Sequence, residues 1–207
     1  MKNAVLIPGS FNPVTKAHVA IGIWVKEHIE SLGISPEETE IFYVPSNMTF
    51  MEQWKPVERL FDEAERLELL RRAVSPLGFQ VLPIEAEGLV DGRTYHTVCY
   101  LKERGYDRIF LCFGEDKYSE FPSWYRYREL IQSATILLFP RSPESYRATA
   151  GDIAVGPDEG IRLVAAEIPP ISSTMVRNAL RGRDAEAVRR LVPEPVARLL
   201  IPRFCAE

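Results

Sequence analysis

The sequence predicts an α/β protein: a doubly wound parallel sheet with helices on both faces and a small helical C-terminal tail. Three observations carry that prediction. Short apolar runs recur along the chain, most of them ended by Pro or Gly, and they have the length of buried strands. Longer segments with helical spacing separate them, so strand and helix alternate from end to end. No internal repeat or low-complexity linker interrupts the series, and 207 residues read as one domain, 1–207, with room for a real core.

The first strand is Ala4 to Ile7, ended by Pro8-Gly9. Val19 continues without a breaker to about Ser31, too long for a strand, and reads as a buried helix with His28 partly buried. Glu40 to Val44 is the second strand, ended by Pro45. Ser46 to Pro56 holds Asn47, Met48, Phe50, Met51, Trp54 and Lys55 without a regular period. It is either an Ω-loop sealing its own core or a flap on a ligand site. Leu60, Phe61, Ala64, Leu67, Leu70 and Val74 recur at helical spacing, which predicts an amphipathic helix over Glu58 to Val74. Phe79 to Ile84 is a third strand, Asp91-Gly92-Arg93 a turn, and Thr94 to Arg104 a helix closed by Gly105. Arg108 to Phe113 is the most apolar run and is predicted to be central. Pro122-Ser123-Trp124 opens a helix to about Gln132, and Thr135 to Phe139 is the next strand. Residues 141–160 form a long surface excursion rich in Pro, Gly, Ser and charge. Ile161 to Ala165 closes the strands, and helices follow at Ser173 to Arg181, Asp184 to Leu191 and Glu194 to Ile201.

The chain is organised around Ile7-Pro8-Gly9-Ser10-Phe11-Asn12-Pro13-Val14-Thr15-Lys16-Ala17-His18. A tight strand-to-helix turn points backbone N–H groups and the positive end of a helix at one spot, which suits an anion. Gly9 lets the backbone approach a ligand, and Pro13 stiffens the turn. Thr15 and His18, three apart, share a helix face. The alternative is an ordinary βα turn with a capping Thr and a surface His. Ile171-Ser172-Ser173-Thr174-Met175-Val176-Arg177 is a second such place, where hydroxyls after Pro169-Pro170 announce a helix start. Ser173 and Arg177 are four apart, so a hydroxyl and a guanidinium meet on one face and suit phosphate oxygens. In a doubly wound sheet, ligands bind beyond the carboxyl ends of the strands, where Gly9 and Gly114-Glu115-Asp116 both fall.

Composition narrows the field. Lys and Arg number 25 against 29 Asp and Glu, a net charge of −4, which argues against a nucleic-acid partner. No stretch is long and apolar enough for a membrane span, and Met1-Lys2-Asn3 leads directly into a strand. Cys99, Cys112 and Cys205 are scattered, without metal-ligand spacing, and read as reduced cytoplasmic thiols. Nothing decides between a monomer and a homo-oligomer.

Gly9-Ser10-Phe11-Asn12-Pro13-x-Thr15-x-x-His18 resembles the nucleotide-binding signature of the nucleotidyltransferase superfamily, above all that of the nicotinamide/nicotinate mononucleotide adenylyltransferases. Ile171-Ser172-Ser173-Thr174-x-x-Arg177 is similar to the ISSTxxR signature of the same superfamily. Gly114-x-Asp116 with Trp124 looks like a third family pattern. The resemblance implies a Rossmann-like fold and adenylyl transfer from ATP, with Mg²⁺, to a pyridine mononucleotide. It implies His18, Thr15 and Arg177 as catalytic. Gly9, Ser10, Phe11, Lys16, His18, Gly114, Asp116, Ile171, Ser172, Ser173 and Arg177 fall to ATP. Ser10, Asn12, Thr94, Trp124 and Arg141 fall to the mononucleotide, with no metal ligand from the chain. Thr94 and Thr97 are the weakest match, Trp124 also reads as a core aromatic, and Arg141 as a free surface residue. Another nucleotidyltransferase, such as one adenylating phosphopantetheine, or a nucleotide sensor without catalysis, stands as the competing function.

Overall fold

The computed structural model describes residues 1–53, 58, 60–140, 142, 144 and 160–205. Among these, six strands form one sheet: β1 (Lys2–Gly9), β2 (Thr39–Pro45), β3 (Gln80–Val81), β4 (Tyr106–Gly114), β5 (Thr135–Phe139) and β6 (Ile161–Leu163). Their order is β3-β2-β1-β4-β5-β6 and every neighbouring pair is parallel. This is the expected doubly wound, Rossmann-like order, with its reversal between β1 and β4.

Strand side chains alternate between two cores. Val5, Ile7, Tyr43, Cys112 and Phe139 face one side, where they meet α1 (Lys16–His28), α3 (Glu63–Val74) and the C-terminal helices. Leu6, Phe42, Val44, Leu111, Phe113 and Leu138 face the other, against Val98 and Leu101 of α4 (Thr94–Lys102) and Leu130 of α5 (Tyr127–Ser133). The C-terminal helices α6 (Ser173–Arg181), α7 (Ala185–Leu191) and α8 (Glu194–Phe204) are more than a tail. Their Val176, Leu180, Val188, Val196 and Leu200 are buried in the first core and close that face of the sheet.

Several boundaries differ from the sequence expectation. The helix expected from Glu58 starts at Glu63, because Asp62 caps it: its carboxylate accepts from Glu65 N–H, and Glu65 accepts from Asp62 N–H in return. Phe61 turns into the core against Phe204 instead of continuing the helical stripe. Within Ser46 to Pro56, Asn47 caps a short helix, α2 (Met48–Glu52), through a bond from Phe50 N–H. Trp54, Lys55 and Pro56 lie outside the described residues. Pro122 does not open a helix but lies inside a 3-10 helix, Glu115–Ser123, and α5 begins only after Arg126. His28 is exposed, its ring stacked on Trp24 at 4.3 Å.

Candidate active site

The register that sets Leu6 beside Leu111 brings the carboxyl ends of β1 and β4 level at the reversal of the sheet. The turn after β1 and Gly114-Glu115-Asp116 therefore leave the sheet side by side. The turn is drawn inward by Phe11, which is fully buried at φ 44° with its ring edge-on to His18 at 5.1 Å. A Cβ at Gly9 would meet that ring at 3.0 Å. The glycine thus makes room for Phe11. The peptide between Asn12 and Pro13 is cis.

Thr15 caps α1 in a reciprocal box: His18 N–H donates to Thr15 Oγ1, and Thr15 N–H donates to His18 Nδ1 at 3.0 Å. A backbone N–H can only donate, so Nδ1 must accept and a neutral ring carries its proton on Nε2. The cap therefore fixes the tautomer that leaves Nε2 as the donor. The helix is held from below by Tyr43, whose buried hydroxyl donates to His18 O at 3.0 Å. Gly22 makes that approach feasible, since a Cβ there would clash with the Tyr43 hydroxyl.

The second expected site arrives at the same turn. Ser172 caps α6, accepting from Met175 N–H, while Ser173 Oγ donates to Pro13 O at 2.8 Å. One turn along, Arg177 donates from Nη1 to Asn12 O at 2.8 Å, from Nη2 to Thr174 Oγ1 at 3.1 Å and from Nε to Glu58 at 2.8 Å. The shared face of Ser173 and Arg177 thus grips two successive carbonyls of the first turn. A guanidinium has five N–H groups, so one on each Nη is left by these bonds. Burial lowers the Arg177 pKa, although a guanidinium stays charged.

Two residues here escaped the sequence reading. Glu58 sets its carboxylate against both Arg177 and Arg181, and its carbonyl accepts from the Asn12 side chain. Arg66 is fully buried, with Glu63 at 2.7 Å, and donates to Ser10 O and to Ser46 O. A signal for Arg66 existed: it stands one helical turn before Leu70, a charge on an apolar stripe.

The other expected residues are more scattered. Lys16 is exposed and donates to Arg189 O at 2.9 Å, at the end of α7. Ile171 N–H donates to Pro169 O, just ahead of the α6 cap. Asp116 is exposed with Lys117 at 3.9 Å. Trp124 is half-buried, packed on Phe121 at 4.7 Å and edge-on to Phe113 at 5.1 Å. Thr94 is the first residue of α4. Arg141 lies outside the described residues, as does most of 141–160.

A family model described as cytidylyltransferase-like matches residues 6–179, a span that contains the gripped turn and the Ser173 and Arg177 that grip it. The chain belongs to the cytidylyltransferase-like family. A relative from Staphylococcus epidermidis, named "Probable nicotinate-nucleotide adenylyltransferase", is 27% identical over 199 residues, 94% of this chain and 92% of its own. Among solved structures, the Plasmodium falciparum nicotinic acid mononucleotide adenylyltransferase complexed with APC matches with a TM-score of 0.68 at 17% identity, covering 98% of this chain and 96% of that one. Its complex with NaAD matches with the same TM-score at 18% identity and the same coverage. At such identity these two speak for the fold. Among the described residues of this cytidylyltransferase-like chain, no helix is long and apolar enough to cross a membrane.

One more buried group of this cytidylyltransferase-like fold stands outside both motifs. Glu85 is 2% exposed and accepts from the Thr97 hydroxyl at 2.6 Å, so the Thr97 hydroxyl proton is committed to a carboxyl group. Burial pushes the Glu85 carboxyl up to about 7; the Thr97 bond opposes this and the Asp91 charge adds to it. The fold then keeps a proton that the open chain has lost, so stability falls as pH rises from about 4.5 to about 7 and levels off above. The full effect is roughly 3 kcal/mol. Glu85→Gln should abolish this slope, gaining on the parent chain as pH rises from 5 to 8. Melting curves across that range check it; a pH-independent difference would show that Glu85 ionises normally.

Proposed function

We propose that this chain transfers the adenylyl group of ATP to nicotinate (or nicotinamide) mononucleotide, giving an NAD-type dinucleotide and pyrophosphate. The observation that carries this reading is the grip of Ser173 and Arg177 on Pro13 O and Asn12 O. Two phosphate-type motifs 160 residues apart share one turn at the reversal of the sheet. The attacking oxygen belongs to the mononucleotide phosphate, which is largely dianionic at neutral pH because its second pKa is about 6. It bonds to the α-phosphorus as the bond to the bridging oxygen breaks, and that oxygen leaves with pyrophosphate. No proton needs removing, so the work is alignment and charge stabilisation.

In this scheme His18 Nε2–H meets the α-phosphate, and Thr15 holds the ring through Nδ1. Lys16 and the remaining N–H groups of Arg177 take the leaving phosphates, with the first turn of α6 beside them. Asp116 accepts from the ribose, and Trp124 offers an indole face to the cationic pyridine ring. Ser10, Asn12, Thr94 and Arg141 fall on the mononucleotide side by family resemblance. Magnesium enters as part of the substrate MgATP, held by phosphate oxygens and water. Among the described residues no three His, Cys, Asp or Glu side chains gather to hold a metal ion.

Incubating the protein with ATP and each mononucleotide in parallel, and following both dinucleotide and pyrophosphate, tests the reading. Dinucleotide from at least one mononucleotide is expected. ATP bound but never consumed would favour a sensor instead. Trp124 supplies a sharper check. Its replacement by Ala should weaken mononucleotide binding by about 1–3 kcal/mol, the range for stacking on a base, with ATP binding nearly unchanged. Trp124→Phe should recover much of the loss. If melting temperature collapses while relative affinities hold, the indole serves Phe113 and Phe121 and not the substrate.

A further inference from the structure

We propose that Arg66 is a positioning residue for the reaction, holding the loops after β1 and β2 in register with each other through the carbonyls of Ser10 and Ser46. The inference rests on the functional reading above. A fully buried arginine is costly, and the sequence around it shows that this position belongs to an apolar stripe. An aliphatic side chain of similar volume would fill such a place without desolvating a charge, so packing alone does not account for arginine here. Its two prongs go to backbone at the carboxyl ends of neighbouring strands: Nη1 to Ser10 O and Nη2 to Ser46 O at 3.0 Å. Ser46 N–H in turn donates to Gly9 O at 2.9 Å, so the two strand ends are stapled twice.

The consequence follows from peptide geometry. In a planar trans peptide, C=O and N–H point opposite ways. Pulling Ser10 O inward turns the N–H of Phe11 outward, and pulling Ser46 O inward does the same for Asn47. Phe11 also sits at φ 44°, a conformation that a bulky L-residue keeps only where its surroundings over-determine it. Its ring is held by burial, and the peptide preceding it is held by Arg66. A planar fork can serve two carbonyls at once, whereas a lysine ammonium is a single point charge. The guanidinium therefore sets the direction of the Phe11 and Asn47 backbone donors, at the carboxyl ends of β1 and β2 and beside the turn that carries the first motif.

The test compares Arg66→Met and Arg66→Lys with the parent protein in the full chain, by steady-state kinetics, melting temperature and the amide resonances of Phe11 and Asn47. The Met variant is expected to fold and to lose about 100-fold in kcat, the scale of a 1 Å misplacement. ATP KM should stay within about threefold, because no substrate contact is removed. Lys should recover part of kcat, and both amide resonances should move in each variant. A folded Met variant with parental kcat and unmoved amides overturns the proposal, as does a kcat that falls only with the folded fraction. If Met does not fold, Lys decides alone: parental kcat with unmoved amides overturns the proposal. A parent chain that makes no dinucleotide defeats the functional reading instead; Phe11 and Asn47 amide resonances that stay parental in a folded Met variant would then still overturn the role of Arg66.

Discussion

Replacing His18 with Ala is expected to lower kcat by roughly two to three orders of magnitude, the cost of losing one donor to developing charge, while ATP affinity changes little. The cap geometry sharpens this prediction. Because Nδ1 is committed to Thr15 N–H at 3.0 Å, the ring cannot flip without breaking its own helix cap, and Nε2 is held as donor. The same bond means that Ala also orphans the Thr15 N–H, at a cost of about 1 kcal/mol of stability. His18→Gln separates the two effects. Its amide oxygen can serve the Thr15 N–H, so melting temperature should return toward the parent value, while kcat stays at least about tenfold down. A Gln variant with parental kcat would reduce His18 to a capping residue, and an Ala variant with parental kcat would remove it from the chemistry.

Arg177→Lys should raise ATP KM by about 10- to 100-fold, the worth of one charged hydrogen bond, despite conserving charge. Lysine offers one point where the guanidinium bonds through Nε, Nη1 and Nη2 to Glu58, Asn12 and Thr174. Mononucleotide KM should move much less, if the N–H groups left over face the pyrophosphate. A parallel rise of both KM values would carry a different message. Arg177 would then act chiefly by holding Asn12 O, and the phosphate assignment would fall to Lys16 and the first turn of α6. Initial rates with each substrate varied in turn distinguish the outcomes.

The fold was legible because its signals are local. Thr135–Phe139 and Ser173–Arg181 match their expected bounds, since an apolar run and a hydroxyl-led helix start are each written within a few residues. The misplaced start of α3 had a local signal too, Asp62 and Glu65 in capping-box spacing, which the apolar period overran through Leu60 and Phe61. Pro122 misled for the opposite reason: proline suits the first turn of an α-helix but equally a 3-10 turn, and nothing nearby distinguishes them.

The candidate site divides along the same line. Residue types and spacing alone pointed to a strand-to-helix turn with Thr15 and His18 at its helix start, where Thr15 proves to be the cap, and to a second helix start with Ser173 and Arg177 four apart. Those are intrasegment relations, governed by the helical period. Tertiary packing settled everything that joins segments. It chose Asn12 O and Pro13 O as the meeting point of the two motifs, placed Glu58 between Arg177 and Arg181, and put Arg66 beneath Ser10 and Ser46. It also set the Phe11 ring against Gly9, a contact that leaves no room for a side chain there. Such bonds span up to 165 residues of chain. They depend on which strand ends the sheet order makes neighbours, and no periodicity within a single segment records that order.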